Sequence, residues 1–276
     1  MAELVKDDVG VFAVVDPAVP EVDADGVASY FLRSAFMQGE SRVRIVYPAQ
    51  KTNRLLFVLP VTPWPGFQDN WRKYGDGLAE VKRQDYHNRY GYIVIAPDFT
   101  EQMPWFVDHA TDPHRRHETY MKQVLIPFTD AVLKIKQPTR DLVGFSKSGF
   151  GALRLLLRYP DTFHACGVWD PGGITRPYDP TQTWSLSHAA GSAAQFEDHQ
   201  IKNAIDKNTR FFREQRRIVL AGYSNEKFKE NLLAVHQLLV QADIPHVYTD
   251  TLTVKHRWFT GWLGPVMASL DKLESR

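Results

Sequence analysis

Short runs of apolar residues alternate with longer amphipathic stretches along most of the chain. Residues 55–59, 92–98 and 218–222 are nearly continuous apolar runs, which are typical of strands buried on both faces of a parallel sheet. Shorter runs rich in β-branched residues predict more strands. These lie at residues 11–15, 42–47, 142–143, 164–169 and 247–254.

The stretches between these runs have the spacing of helices. Phe228, Leu232, Val235 and Leu239 fall at intervals of four, three and four, so they share one helix face. Helices are also expected at about residues 115–136, from residue 146 to the proline at 160, and around residues 262–270. Strands alternating with helices favour right-handed crossovers. The sequence therefore predicts an α/β fold with a mostly parallel central sheet and helices on both faces.

Length and composition fit one domain. A chain of 276 residues with 43% hydrophobic and 24% charged residues is ordinary for a single large α/β domain, here residues 1–276. Residues 174–212 are the least regular part, and we expect them to form a cap-like insertion. The net charge of +1 provides no strong field, so neither nucleic acid nor a membrane surface is an expected partner.

The sequence also bears on location. The single cysteine, Cys166, excludes an internal disulfide and lies in an apolar run, where it is most simply a small buried residue. The first residues have no basic start followed by a long apolar stretch, and no apolar run approaches membrane-spanning length. These features predict a cytoplasmic protein; they do not specify an oligomeric state.

Residues 141–153 carry the most informative motif. They combine a short apolar strand, Ser146, and a helix that opens with small residues, which is the layout of a nucleophile elbow. Gly144, Ser148 and Gly149 leave room for the helix to lie close to the strand, although Ser148 stands where the G-x-S-x-G pattern has glycine. Gly144 and Gly149 also have the spacing of a phosphate loop, but such a loop needs lysine at position 150, which is Phe. No cofactor is expected.

A serine nucleophile needs a histidine base and a carboxylate that orients it. Among ten histidines, His256 is best placed, because it follows the last strand and precedes the closing helix. Two carboxylates keep the chain order of nucleophile, acid and histidine. Asp170 follows the strand after the elbow helix, on a Pro-Gly-Gly turn, and Glu226 follows the next strand. We favour Asp170, since Glu226 is expected to begin a helix, where a carboxylate favours the helix dipole.

An oxyanion hole needs two backbone N–H groups. One should belong to Lys147, the residue after the nucleophile. The other should come from the loop after residue 59, where the prolines have no N–H, which leaves Val61 or Thr62.

Two other features of the sequence resemble functional sites. His114 and His117 have helical spacing, but no further ligand pattern completes a metal site, so the stretch is interpreted as a polar loop and no metal is expected. Several aromatic residues follow strands and could wall a pocket: Trp64, Phe67, Trp71, Trp105 and Phe106.

With these residues in place, the chain resembles the "Putative esterase" family of α/β-hydrolases, which includes S-formylglutathione hydrolases, feruloyl esterases and mycolyltransferases. Three segments carry the resemblance: the elbow through Phe163, residues 124–128, and residues 256–258 with Trp262. The chain departs from the family pattern at Ser148, at Asn225, and at Pro60-Val61, where the family has His-Gly.

The residues and the resemblance together predict an α/β-hydrolase fold and a serine hydrolase that cleaves a small-molecule carboxylic ester. Ser146, His256 and Asp170 would form the triad, with an acyl-enzyme intermediate. A catalytically silent binding protein and an acyltransferase are the alternatives. The acyl length and the identity of the substrate are not specified.

Overall fold

The computed structural model describes residues 5–7, 10–14, 20–61, 74–99 and 104–274. These residues form one sheet of eleven strands, in the order β1-β2-β4-β5-β7-β6-β8-β9-β10-β11, with β3 beside β4. The strands are β1 (Val5–Asp7), β2 (Gly10–Val14), β3 (Glu21–Val22), β4 (Ala28–Ser34), β5 (Glu40–Val46), β6 (Arg54–Val58), β7 (Ile93–Pro97), β8 (Thr139–Phe145), β9 (Ala165–Pro171), β10 (Ile218–Tyr223) and β11 (Val247–Thr253).

The sheet has two parts. Strands β6 to β11 are all parallel, whereas β1 to β5 pair antiparallel and join the parallel part where β5 meets β7. Because the parallel strands end at one edge, residues just beyond β6, β8, β9, β10 and β11 are brought to the same side of the molecule.

The described residues form ten α-helices. They are α1 (Gly77–Arg83), α2 (Tyr86–Arg89), α3 (His117–Tyr120), α4 (Ile126–Leu133), α5 (Ser146–Arg158), α6 (Leu186–Ala190), α7 (Ala193–Asp198), α8 (Ile201–Asn208), α9 (Glu226–Gln241) and α10 (Leu263–Glu274). None of the helices in this part of the chain is both long and apolar enough to cross a bilayer.

The sheet separates two apolar cores. Along β6, Leu55 and Phe57 belong to one core, and Leu56 and Val58 to the other, as the alternation of side chains along a strand requires. The leucines of α5 fill the first core, and the apolar face of α10 fills the second. Helices therefore cover both faces, as predicted.

The helix predicted at about residues 115–136, with Pro127 inside it, is present over residues 117–133, but it is not a regular α-helix throughout. The helical stretch runs from α3 through a π-helical segment, Met121–Leu125, into α4. Pro127 explains the irregularity, because proline has no N–H and its ring clashes with the carbonyl four residues earlier in a regular α-helix. The wider π turn before it relieves that conflict. Lys134, with φ of 53°, ends the helix.

Candidate active site

A tight turn between β8 and α5 holds Ser146. Its φ is 56°, in the left-handed region that residues other than glycine seldom adopt. Gly144 permits the turn, since a Cβ there would lie 2.5 Å from the carbonyl group of Ser148. The adjacent strand end is tied to the turn, because the Gly172 N–H donates to the Ser146 carbonyl at 3.1 Å. The strand, turn and helix expected at this position are present.

Ser148 closes the same turn. Its hydroxyl donates to the Phe145 carbonyl at 2.8 Å and accepts from the Phe145 N–H at 3.1 Å. Both groups are buried, so each would lose a hydrogen-bond partner if this position were glycine. Ser148, which stands where the usual motif has its second glycine, therefore stabilises the turn.

Asp170 lies at the end of β9 and contacts the ring of His256. The Asp170 carboxylate is completely buried; its Oδ2 is hydrogen-bonded to His256 Nδ1, and its Oδ1 accepts from the Ser224 N–H at 2.7 Å. Asp170 has φ of 52°, so it too is held in the left-handed region. Glu226, in contrast, begins α9 with a side chain that is 81% exposed and 3.6 Å from Lys229. The carboxylate beside the imidazole is that of Asp170.

Aromatic rings surround the His256 imidazole. Phe228 stacks on it with a centroid distance of 4.5 Å, and the Phe145 ring meets it edge-on at 4.9 Å. Tyr74 and Trp169 lie 5.5 Å and 6.3 Å away. These contacts limit rotation of the ring, so its Nδ1 stays on the carboxylate of Asp170.

A cavity of about 430 Å³ opens at this edge of the sheet. Both Ser146 and His256 line it, and Val61 and Trp105 form part of its wall. Phe106, which we expected as a possible wall residue, is fully buried in the core instead. Trp64, Phe67 and Trp71 lie outside the described residues.

Two of the three predicted oxyanion donors, Lys147 and Val61, are among the described residues. Lys147 is the second residue of α5, so its N–H is one of the four that have no acceptor within the helix. Val61 follows β6 and lines the cavity, whereas Thr62 lies outside the described residues. The Lys147 side chain, for which the sequence predicted no role, also lines the cavity, and burial lowers its pKa to about 7.

Further cavity residues were not predicted from the sequence, among them Arg176, Trp184, Lys227 and Asn231. The first two come from the irregular stretch of residues 174–212, which shows no periodicity that could have marked them. Asn231 carried a usable signal, because it is a polar residue four positions before Val235 on the apolar face of α9.

The two histidines with metal-like spacing do not share an environment. His114 is exposed, and His117 is buried. Burial, with the positive charges of Arg115 and Lys147, lowers the pKa of His117 to about 3, so it is neutral at physiological pH. Within the described ranges, no three His, Cys, Asp or Glu side chains come close enough together to hold a metal ion.

Comparison with protein families and solved structures adds independent evidence. The family described as "Putative esterase" matches residues 62–237, a stretch that includes Ser146 and Asp170 but ends before His256. A sequence comparison with curated proteins finds no match.

Several solved structures share the fold. A ferulic acid esterase is 15% identical, with a TM-score of 0.63 over 90% of this chain and 96% of that one. An S-formylglutathione hydrolase from Agrobacterium tumefaciens is 13% identical, with a TM-score of 0.62 over 99% and 96%. The MPT51 protein of Mycobacterium tuberculosis is 12% identical, with a TM-score of 0.63 over 94% and 98%. At these identities the likeness shows the fold alone, and it confirms the predicted α/β-hydrolase architecture.

Proposed function

Because the chain belongs to the Putative esterase family and is a carboxylic ester hydrolase, we propose that it works through a Ser146-His256-Asp170 triad and an acyl-enzyme intermediate. One observation carries this proposal. The Asp170 carboxylate is hydrogen-bonded to His256 Nδ1, and His256 lines the same cavity as Ser146. The substrate is a small-molecule ester bound in that cavity.

In the proposed reaction, the Ser146 Oγ attacks the ester carbonyl while His256 Nε2 accepts its proton. His256 then donates the proton to the departing alkoxide, and the alcohol leaves. A water molecule attacks the acyl-enzyme, again with His256 as the base, which releases the acid and restores Ser146. The buried Asp170 keeps the proton on Nδ1, so that Nε2 is free to accept.

The developing oxyanion would be stabilised by backbone N–H groups. The proposed donors are Lys147, at the start of α5, and either Val61 or Thr62, after β6. Loss of one such donor costs about 3 to 4 kcal/mol of transition-state stabilisation.

We also propose that residues 174–212 serve as the cap of the single domain. Arg176 and Trp184 of this segment line the same cavity as Ser146 and Lys147, and Trp105 Nε1 donates to the Trp184 carbonyl at 3.0 Å. This segment would therefore shape the acyl- or alcohol-binding part of the site.

The Ser146→Ala variant tests the proposed mechanism. Turnover of a 4-nitrophenyl acyl ester should fall by about 10⁴-fold or more, because no nucleophile remains. Ser269→Ala is a matched control, since the Ser269 hydroxyl lies on α10 and donates to the Pro265 carbonyl. Full turnover in Ser146→Ala would contradict the proposal.

A further inference from the structure

Among the described residues that line the cavity, the charged side chains are all basic. Lys147, Arg176 and Lys227 line it together with His256, and none of the described residues in its wall is Asp or Glu. Asp170 is nearby but completely buried, and its two oxygens bond to His256 and to the Ser224 N–H. A concave site lined by cations attracts anionic groups, because low-dielectric walls focus the field.

The side chain of Arg176 is held against the cavity wall. Its Nη1 donates to Gln182 Oε1 at 3.2 Å, and its guanidinium carbon lies 4.5 Å from the centre of the Trp184 ring. The backbone of Trp184 is held by the hydrogen bond from Trp105 Nε1 to its carbonyl oxygen. Since a guanidinium has five N–H donors, the bond to Gln182 uses only one of them.

The backbone just before Arg176 is also anchored. Asn231 is 3% exposed, and its Oδ1 accepts from the Ile174 N–H at 2.8 Å and the Thr175 N–H at 3.2 Å. Its Nδ2 donates to the Lys227 carbonyl at 2.7 Å. One buried amide therefore ties the segment that carries Arg176 to the first turn of α9, which carries Lys227.

We propose that the cavity selects esters that carry an anionic group, either a carboxylate or a phosphate, and that Arg176 binds this group. The inference rests on the proposed hydrolase function and adds the substrate class. The planar fork of a guanidinium matches the two oxygens of such a group, and Lys227 adds charge at the same site.

The Lys147 side chain is consistent with this assignment. Burial lowers its pKa to about 7, so a neutral solution contains both its charged and its uncharged form. A bound anion would favour the charged form of Lys147, and the charged form would in turn strengthen binding of the anion.

Matched substrates test the inference. The anionic probe is the 4-nitrophenyl half-ester of adipic acid, and its neutral counterpart is the 4-nitrophenyl ester of adipic monoamide, which has nearly the same shape. For the wild-type protein, kcat/KM should be higher for the anionic ester by about tenfold or more, which corresponds to about 1.4 kcal/mol. Higher ionic strength should reduce this ratio. A third substrate, 4-nitrophenyl 5-phosphonopentanoate, distinguishes the two anionic groups. A higher kcat/KM for it than for the adipate half-ester would indicate that the natural substrate carries a phosphate, and a lower kcat/KM would indicate a carboxylate.

Variants assign the effect to Arg176. Arg176→Gln should lower the anionic-to-neutral ratio by about tenfold, and Arg176→Lys should retain part of it. Arg213→Gln is the control, since Arg213 is exposed and lines a separate cleft with His164 and Lys272. It should leave the ratio unchanged.

The outcomes separate this inference from the proposed function. A wild-type ratio at or below one, or an unchanged ratio in a folded Arg176→Gln protein, would overturn the anionic specificity while leaving the hydrolase mechanism intact. Undiminished turnover of both esters by Ser146→Ala would overturn the mechanism instead. Inhibition of the wild-type protein provides a further test. Adipate should inhibit turnover of the neutral ester more strongly than adipamide does. Equal inhibition by the two compounds would count against anion binding in the cavity.

Discussion

Replacing Asp170 by Asn changes the chemistry of the proposed triad with almost no change in shape. The Asn side chain retains an oxygen that can accept from the Ser224 N–H, as Asp170 Oδ1 does at 2.7 Å. Asparagine also tolerates the φ of 52° at this position. Its amide nitrogen would then face His256 Nδ1, which in the native protein contacts the carboxylate. Two donors cannot pair, so His256 would carry its proton on Nε2 and could not accept one from Ser146.

The size of the effect follows from this change of tautomer. In serine triads, loss of the orienting carboxylate with retained geometry lowers kcat by about 10⁴-fold. At 1.36 kcal/mol for each factor of ten, this corresponds to about 5 kcal/mol of transition-state stabilisation. KM should change much less, because Asp170 is completely buried and does not line the cavity.

Steady-state kinetics with a 4-nitrophenyl ester provide the assay. Glu226→Gln is the matched control, because it neutralises the rival carboxylate, which is 81% exposed and contacts Lys229. We expect its kcat to remain within about twofold of the wild-type value, as for most surface substitutions. The proposed role of Asp170 is wrong if Asp170→Asn keeps more than about a tenth of the wild-type kcat, or if Glu226→Gln loses as much as Asp170→Asn.

Two predictions concern stability. Gly144→Ala should destabilise the fold by about 1 to 3 kcal/mol in chemical unfolding, since its Cβ would lie 2.5 Å from backbone atoms. Gly172→Ala is the control and should change the stability little, because its Cβ would lie 3.6 Å from the nearest atoms. Equal effects of the two substitutions would contradict the close packing at Gly144. Burial raises the pKa of Glu118, but the two guanidiniums paired with it lower the pKa more, to below the ordinary value of 4.5. Its stabilisation is therefore complete above that value and is lost as the pH falls through the folded pKa. Glu118→Gln should lower the free energy of unfolding by about 3 to 5 kcal/mol at neutral pH and by less in acid. Asp206→Asn, at an exposed ion pair, should lower it little at any pH. A loss of stability in Glu118→Gln that does not change with pH would contradict this prediction.

Much of the parallel part of the fold could be predicted, because its strands are buried on both faces and therefore read as apolar runs. Residues 55–59 and 92–98 correspond to β6 and β7 within one residue at each end. The antiparallel strand β4 was missed. Its sequence mixes apolar and polar residues, and only part of it is buried, so the apolar run that marks a strand is too short.

The candidate site could be predicted only where a residue follows a strand. Ser146 and Asp170 lie at the ends of β8 and β9, and the parallel sheet brings those ends together. Arg176 and Trp184 belong to a segment whose position depends on the buried amide of Asn231 and on one tryptophan hydrogen bond. Such contacts join residues more than fifty positions apart, and no local spacing encodes them.

Covalent labelling of Ser146 tests the central claim most directly. A fluorophosphonate probe reacts with an activated serine, so intact-mass measurement should show one adduct per chain, and peptide mapping should assign it to Ser146. The Ser146→Ala protein should remain unlabelled. A folded wild-type protein that acquires no adduct at neutral or alkaline pH, or that acquires it at another residue, would contradict the account and favour a catalytically silent binding protein.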